Sequence, residues 1–185
     1  MSRAKKSVLI LLLGLAISAF ANAAEYSVNG VQLGMSQEQV QALFGDKIAC
    51  SPRTPSDTDP SQATCVNAAF AKDKSRSDTF AGQKTVIWYH ILDGKVARIS
   101  FLGFPSMAFD HIVSAMEPTY GKPKVVSRVM RAGPKSELVN KRATWGAEGD
   151  DAIVFDKYSA GNLDRSYLNF YAVSFPQAVR PKPVE

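Results

Sequence analysis

The dipeptide Asp93-Gly94 constrains the fold more than any other feature of the sequence, because it separates two runs in which apolar and polar residues alternate. The flanking runs, TVIWYHIL and KVARISFLGF, are rich in β-branched and aromatic residues. An Asp-Gly pair in this setting favours a two-residue type I′ turn. The pattern therefore predicts an antiparallel β-hairpin.

The register of this hairpin decides which side chains face the core. Counting outward from a two-residue turn places Tyr89 opposite Arg98. The face that does not contain Tyr89 and Arg98 carries only apolar residues away from the turn, so it is predicted to be the core face. These residues are Val86, Trp88, Ile99 and Phe101.

Two segments outside the hairpin have the periodicity of short amphipathic helices. The first, SQEQVQALFG, opens with a capping box of Ser36 and Gln39 and closes on Gly45. The second, SMAFDHIVSAMEPTYG, is predicted to begin at a Ser106 cap, with Pro118 ending or kinking it.

Four strand-like runs follow residue 124 and alternate with Gly- and Asp-rich turns: VVSRVMR, LVNKRATW, AIVFDKY and SYLNFYAVSF. This succession is typical of an antiparallel meander. The predicted fold class is α+β, an antiparallel sheet with two helices packed on one face, in the order helix, hairpin, helix, meander. The similar helix ends LFGD and TYGK suggest an internal repeat but are too short to establish one.

The first 23 residues have the three parts of a cleavable secretory signal: Arg3, Lys5 and Lys6, an apolar run over residues 8–20, and a small-residue triplet. An uncleaved anchor is disfavoured, because a helical membrane span needs about twenty apolar residues. No cysteine stands at the cleavage point to carry a lipid. We therefore predict a periplasmic or secreted protein without a membrane anchor, composed of a signal peptide (1–23), a single domain (24–178) and a flexible tail (179–185).

Loss of the signal lowers the formal charge from +5 to +2, because the signal holds three of the 22 basic residues. Phosphate recognition requires clustered Lys and Arg on one face. No such stripe remains in residues 24–185, so we expect no nucleic-acid partner.

Cys50 and Cys65 are the only cysteines, and both follow the signal. In an oxidising compartment a pair with this spacing is expected to form a disulfide. The bond would close a loop rich in Pro, Ser, Thr and Asp. Free thiols or a redox pair are the alternative, which the absence of C-x-x-C spacing disfavours.

The sequence has no motif that names a reaction. Its histidines are His90, predicted to be a partly buried structural residue on the core-facing side, and His111, predicted to be solvated. A triad could be assembled from Asp110, His111 and a serine, but no G-x-S-x-G elbow positions a nucleophile. Nucleotide-binding glycine motifs are also missing. We predict no catalytic residue, no cofactor and no enzymatic activity.

Metal binding is also not predicted. Two histidines and two disulfide-bonded cysteines make no credible zinc site. The acidic runs 57–59 and 148–151 contain oxygen ligands that could bind calcium, yet neither matches an EF-hand loop. Solvated turns are the preferred interpretation.

The second face of the predicted sheet is the most suggestive surface. Tyrosine and arginine are enriched where proteins bind each other. The alternative is that loops cover this face, or that it is an ordinary Tyr-rich exterior. The candidate partner-binding residues are Tyr89, Arg98, Tyr167, Asn169 and Tyr171.

The segment GVQLGMSQEQVQALFG resembles the opening helix signature of small envelope domains of the BamE (SmpA/OmlA) and β-lactamase-inhibitor-protein-like superfamily. The resemblance covers these sixteen residues. It implies helices on one face of an antiparallel sheet and the binding of other proteins through that sheet, and it carries over no catalytic residue. The chain departs from BamE-type lipoproteins because it lacks the lipidated cysteine.

We therefore expect an exported protein-binding or inhibitor-like module of the bacterial envelope. A periplasmic enzyme acting on envelope polymers through carboxylates near the disulfide loop is one alternative. A structural accessory of an envelope complex is the other. The sequence does not identify the partner or the oligomeric state.

Overall fold

The structure is a computed structural model that describes residues 26–57, 59–75, 77–133, 136–147, 149–158 and 163–176. The predicted signal peptide and tail lie outside the described residues. The helices within these ranges are α1 (Gln37–Phe44), α2 (Ala68–Lys72) and α3 (Phe109–Tyr120). The strands are β1 (Ser27–Val28), β2 (Val31–Gln32), β3 (Ile48–Pro52), β4 (Ala63–Asn67), β5 (Asp78–Phe80), β6 (Gln83–Leu92), β7 (Lys95–Pro105), β8 (Lys124–Gly133), β9 (Ser136–Trp145), β10 (Ala152–Asp156) and β11 (Arg165–Tyr171).

One nine-stranded antiparallel sheet dominates the molecule, in the order β3-β4-β6-β7-β11-β10-β9-β8, with β5 paired to the start of β6. β1 and β2 form a separate two-stranded ribbon. The four runs predicted as a meander are confirmed as β8 to β11.

The predicted fold class, α+β with two helices packed on one face of the sheet, is wrong. The described chain is mainly antiparallel sheet, and its helices have only eight, five and twelve residues. The error arises around the cysteines, where IACSP and ATCVN have little apolar alternation and yet form β3 and β4. Cys50 and Cys65 face each other across this pair and are joined by the predicted disulfide. The covalent bond holds together two strands that the side-chain pattern does not reveal.

The sheet consists of two halves with the same strand order. In the first half, α1 precedes β3, β4, β6 and β7; in the second half, α3 precedes β8, β9, β10 and β11. The final strands of the two halves, β7 and β11, pair at the centre. A duplicated unit would produce this arrangement, although the internal repeat itself stays a prediction.

The Asp93-Gly94 turn is confirmed, and both residues have the positive φ that a type I′ turn requires (51° and 73°). The predicted register beyond Ile91 is wrong, because Ala97 forms a bulge and Tyr89 pairs with Ile99 instead of Arg98. The bulge allows the Ala97 carbonyl to accept a hydrogen bond from the amide of residue 172 at 2.9 Å. The shift places Ile87 and Tyr89 of β6, instead of Val86 and Trp88, on the same face as Ile99 and Phe101 of β7.

The predicted core face is confirmed on β7, where Ile99 and Phe101 are fully buried, and is wrong on β6. Val86 and Trp88, predicted to be core, are only half-buried. Apolar side chains from α1, α3 and the β1–β2 ribbon pack against the sheet and complete this core. The buried hairpin residues on this face are Ile87, Tyr89, Ile91, Ile99 and Phe101.

Helix α1 begins as predicted, with reciprocal hydrogen bonds between Ser36 and Gln39 and with Gly45 at its end. Helix α3 differs, because Ser106 lies in a short 3-10 turn without a side-chain cap and Pro118 falls within the last helical turn. Among the described residues, no helix has the length and apolar composition needed to cross a membrane.

Candidate functional site

The face of the sheet opposite the core, here called the open face, holds most of the predicted partner-binding residues. It contains the alternate positions of β6, β7 and β11, beginning with Trp88, His90, Arg98, Asn169 and Tyr171. Two chain segments lie over parts of it, and the remainder is accessible. These three regions have different chemistry.

The loop between β3 and β4 covers the first region through Asp59. Arg98 of β7 donates from Nη2 to Asp59 Oδ2 at 2.7 Å, and Arg53 of the loop lies 3.3 Å from the same oxygen. The Ser61 hydroxyl and amide both donate to Asp59 Oδ1, at 2.6 and 3.1 Å. Asp59 therefore fixes the loop to the sheet.

His90 lies beneath this loop and is 4% exposed. Burial and the positive charge of Arg98 lower the pKa of His90 to about 3, so the imidazole is neutral at physiological pH. Burial raises the pKa of Asp59, but the Ser61 hydroxyl and the charge of Arg98 outweigh burial and lower that pKa to about 2. The cluster thus holds an ionised carboxylate, a guanidinium and a neutral imidazole.

Ser100, His90 and Asp59 superficially resemble a catalytic triad, because Ser100 Oγ lies 2.9 Å from His90 Nε2. However, Arg98 Nη2 lies 2.9 Å from His90 Nδ1, and a guanidinium can only donate. The same Nη2 lies 3.2 Å from Nε2, so the guanidinium, and not the Asp59 carboxylate, is the nearer partner of the imidazole, whereas in a triad the carboxylate accepts a hydrogen bond from Nδ1–H. His90 Nδ1 is also 3.7 Å from Asp59 Oδ2. We interpret the cluster as structural.

The segment after β11 covers the second region. Phe175 is fully buried; its ring centroid lies 5.3 Å from that of Tyr171 and 5.1 Å from Arg98 Cζ. Phe175 and Tyr171 form a second apolar cluster with Ala97 and Val154. Tyr171 is 4% exposed and is therefore not available to a partner.

The third region is a row of directly opposed residues that crosses five strands from β6 to β9. Each member keeps part of its side chain accessible, and Leu102 is 36% exposed. The row ends in an ion pair in which Arg142 Nε donates to Asp156 Oδ1 at 2.6 Å. We call this row the open strip: Val86, Leu102, Tyr167, Asp156 and Arg142.

The structure separates the five predicted partner-binding residues. Tyr167 belongs to the open strip, and Asn169 is half-buried beside it. Arg98 is engaged with Asp59, and Tyr171 lies under Phe175. Tyr89 is on the core face, where it lines a cavity of about 210 Å³ beneath α1 and where burial raises its pKa. The alternative that loops cover part of this face is therefore correct for Arg98 and Tyr171.

Leu102 is exposed and Trp88 is half-buried on the open face, and neither was predicted to bind a partner. Trp88 was assigned to the core because the bulge at Ala97 could not be seen in the alternation. Its indole Nε1 is buried and has no hydrogen-bond partner among the described residues. His111 is exposed, as predicted, and donates from Nε2 to the Ala81 carbonyl at 3.1 Å.

Within the described ranges, no group of three or more His, Cys, Asp or Glu side chains could hold a metal ion. In the acidic run 57–59, the Asp59 carboxylate forms ion pairs with Arg53 and Arg98. In the run 148–151, Asp151 accepts a hydrogen bond from the Val173 amide at 2.6 Å.

Comparison with models of protein families, with curated proteins and with solved structures found no match to this chain. The resemblance of residues 30–45 to the BamE and β-lactamase-inhibitor-protein-like superfamily stays a prediction.

Proposed function

We propose that this chain is an exported protein-binding module of the bacterial envelope and that it binds its partner through the open strip. The observation that carries the proposal is the accessible row itself. An aliphatic pair, a tyrosine and an Arg–Asp ion pair lie side by side across five strands. Apolar and aromatic contacts flanked by charged groups are the usual composition of a protein-binding surface.

The rigidity of the surface also supports binding. The strip lies on paired strands whose other faces carry core residues such as Phe101, Phe155 and Leu168, which are fully buried. A partner therefore meets side chains that are already positioned, and little conformational entropy is lost on association.

Export to the envelope is part of the same proposal. It rests on the signal-like residues 1–23 and on the disulfide, since disulfides persist in oxidising compartments. N-terminal sequencing of the protein from a periplasmic or culture fraction is expected to begin at Ala24. Recovery only in the cytoplasm, with residues 1–23 retained, would contradict export.

Affinity capture from envelope extract tests the strip. Leu102→Asp places a charge in the middle of the row, and Leu43→Asp is the matched control, because Leu43 is 51% exposed on helix α1. We expect Leu102→Asp and Tyr167→Ala to reduce capture of a specific partner at least about tenfold, a loss of about 1.4 kcal/mol in binding free energy. Leu43→Asp should retain it.

Melting temperatures of all variants show that loss of capture is not loss of folding. If Leu102→Asp, Tyr167→Ala and Leu43→Asp capture the same proteins in the same amounts as the wild type, the open strip is not the binding surface.

A further inference from the structure

Strand β8 forms one edge of the sheet, and its surface differs from that of an ordinary protected edge. It has ten residues and pairs with β9 on one side; no strand in the described parts of the chain pairs with its other side. An edge of this kind presents a row of unpaired backbone N–H and C=O groups. Natural proteins usually protect such edges.

The side chains around this edge alternate in chemistry. On the face that continues the core side, Val125 is 48% and Val129 65% exposed, and Val139 of β9, directly opposite Val129, is 52% exposed. On the face that continues the open face, Lys124 and Arg128 are exposed. Ser127 is also exposed between the two valines, and Val126 and Met130 are half-buried on the face of Lys124 and Arg128. The exposed side chains of the edge are therefore mainly apolar on one side and basic on the other.

The opposite edge of the sheet is protected. Strand β3 has five residues, ends at Pro52, and is linked to β4 by the Cys50–Cys65 disulfide. Short length and proline are two of the features that prevent strand addition. Strand β8 has ten residues and no proline; its protective features are the exposed Lys124 and Arg128 and a bulge after Arg131, and the two charged side chains restrict which strand can be added.

A second copy of the chain is a poor occupant for β8. Lys124 and Arg128 lie on the same face of β8. If β8 of a second copy were added with its equivalent face on the same side of the sheet, four cationic side chains would lie on that side. Like charges opposite each other destabilise a strand pair. The occupant should instead carry negative charge on that face and apolar side chains on the other.

We propose that β8 binds an extended segment of another protein, in which apolar and acidic residues alternate, as an added β-strand. Backbone hydrogen bonds to the edge supply affinity, and alternate side chains supply specificity. The apolar residues would pack beside Val125 and Val129, and the acidic residues would pair with Lys124 and Arg128. This site adjoins the open strip, because Arg128 lines one cavity of about 240 Å³ with Arg142 and Asp156 of the strip. The added strand would bind the edge of β8 and not the strip, and neither proposal depends on the other.

The test uses the mature protein and a fluorescein-labelled peptide of about eight residues that alternates valine and glutamate, a length near that of an ordinary strand. Binding is followed by fluorescence anisotropy. A peptide of identical composition, with its valines and glutamates grouped in two blocks, is the control for charge alone. We expect the alternating peptide to bind at least tenfold more tightly than the block peptide.

Two further peptides test the backbone geometry. Each is N-methylated at every second residue, one on the odd positions and the other on the even positions. Because alternate amides of an added strand face the edge, one methylated peptide should lose binding and the other should retain it. Equal binding of both would overturn strand addition.

Variants of the protein test whether the peptide binds at β8. Val129→Lys and Arg128→Glu should each weaken binding of the alternating peptide at least tenfold. The matched controls Val173→Lys and Lys84→Glu lie at exposed positions away from β8 and should change it by less than twofold. The proposal is wrong if the alternating peptide shows no saturable binding, or if the β8 variants and the controls behave alike.

Discussion

The two halves of the sheet share one strand order and differ at their outer hairpins. In the first half, the β3–β4 hairpin is short, disulfide-linked and attached to the open face through Asp59. In the second half, the β8–β9 hairpin has ten residues in each strand and exposes three valines. Similar topology therefore supports two different surfaces.

The difference shows how one fold can separate stability from recognition. Covalent and ionic contacts in the first half hold a loop without apolar periodicity on the sheet. The second half leaves its edge accessible, so it can offer backbone groups to a partner. Four predictions test this contrast, from the largest expected effect to the smallest.

Loss of the disulfide should have the largest effect on stability. The bond joins residues that are 15 positions apart, and closing a loop of that length contributes about 3 kcal/mol in the chain-entropy model. The Cys50→Ser, Cys65→Ser double variant should lose about this much free energy of unfolding in urea denaturation. If its stability equals that of the wild type, the first hairpin does not depend on the bond.

Removal of the Asp59 carboxylate should lower the free energy of unfolding more than removal of the Asp156 carboxylate in the second half of the sheet. Asp59→Asn leaves Arg98 buried beside an uncharged partner, and we expect a loss of about 2 kcal/mol in the free energy of unfolding. Asp156→Asn breaks the more accessible pair with Arg142 and should cost under about 1 kcal/mol. Equal losses in urea denaturation would contradict the proposed difference between the two halves.

Stability should fall in mild acid because of His90. Its folded pKa of about 3 lies below the ordinary value of about 6.5, so the unfolded state binds more protons between these values. The contribution of His90 is fully present above pH 6.5 and is lost as the pH falls toward 3.

From about pH 7.5 to about pH 5.5 we expect a decrease of about 1.4 kcal/mol in the free energy of unfolding. His90→Gln should remove most of this slope, and the control His111→Gln should keep it, because His111 is exposed. The stabilisation from Asp59 is present above about pH 5 and is lost only at lower pH, as the pH falls through the unfolded pKa of about 3.9 toward the folded pKa of about 2. An unchanged slope in His90→Gln would refute this account of the cluster.

Substitution of an edge valine should have the smallest effect on stability. Val129 is 65% exposed, so Val129→Thr should change the free energy of unfolding by no more than about 0.5 kcal/mol. A loss of more than about 2 kcal/mol in urea denaturation would show that the hairpin packs more tightly than its exposure indicates.

Local signals in the sequence predicted the elements they encode directly. The capping box of Ser36 and Gln39, the Asp93-Gly94 turn and the four C-terminal strands were predicted from short-range pattern and are confirmed. The Cys50–Cys65 disulfide was predicted from count, spacing and compartment, and it is also confirmed.

The failures have a different physical origin, because they depend on long-range contacts. The bulge at Ala97 is stabilised by a backbone hydrogen bond from residue 172, which no local pattern records. One extra residue exchanges the two faces of a strand, so Tyr89 moved to the core and Trp88 to the open face. The predicted partner surface was wrong for Tyr89 for this reason.

The covering of Arg98 and Tyr171 is likewise a tertiary effect. Asp59 is 39 residues from Arg98 in the sequence. Phe175 is only four residues after Tyr171, and it reaches the Tyr171 ring because the chain turns back after β11, where the Phe175 amide donates to the Ala172 carbonyl. Of the five predicted residues, Tyr167 and Asn169 are half-buried on the open face, whereas Arg98 is bound to Asp59 and Tyr171 is buried.

Site-specific photo-cross-linking in intact cells tests the central claim most directly. A benzophenone amino acid replaces Tyr167 in the open strip or, as the control, Ser114, which is exposed on α3. The account predicts a discrete cross-linked protein from position 167 that is absent from position 114. The same adducts from both positions, or none from position 167 while the cross-linking protein is exported and folded, would contradict it.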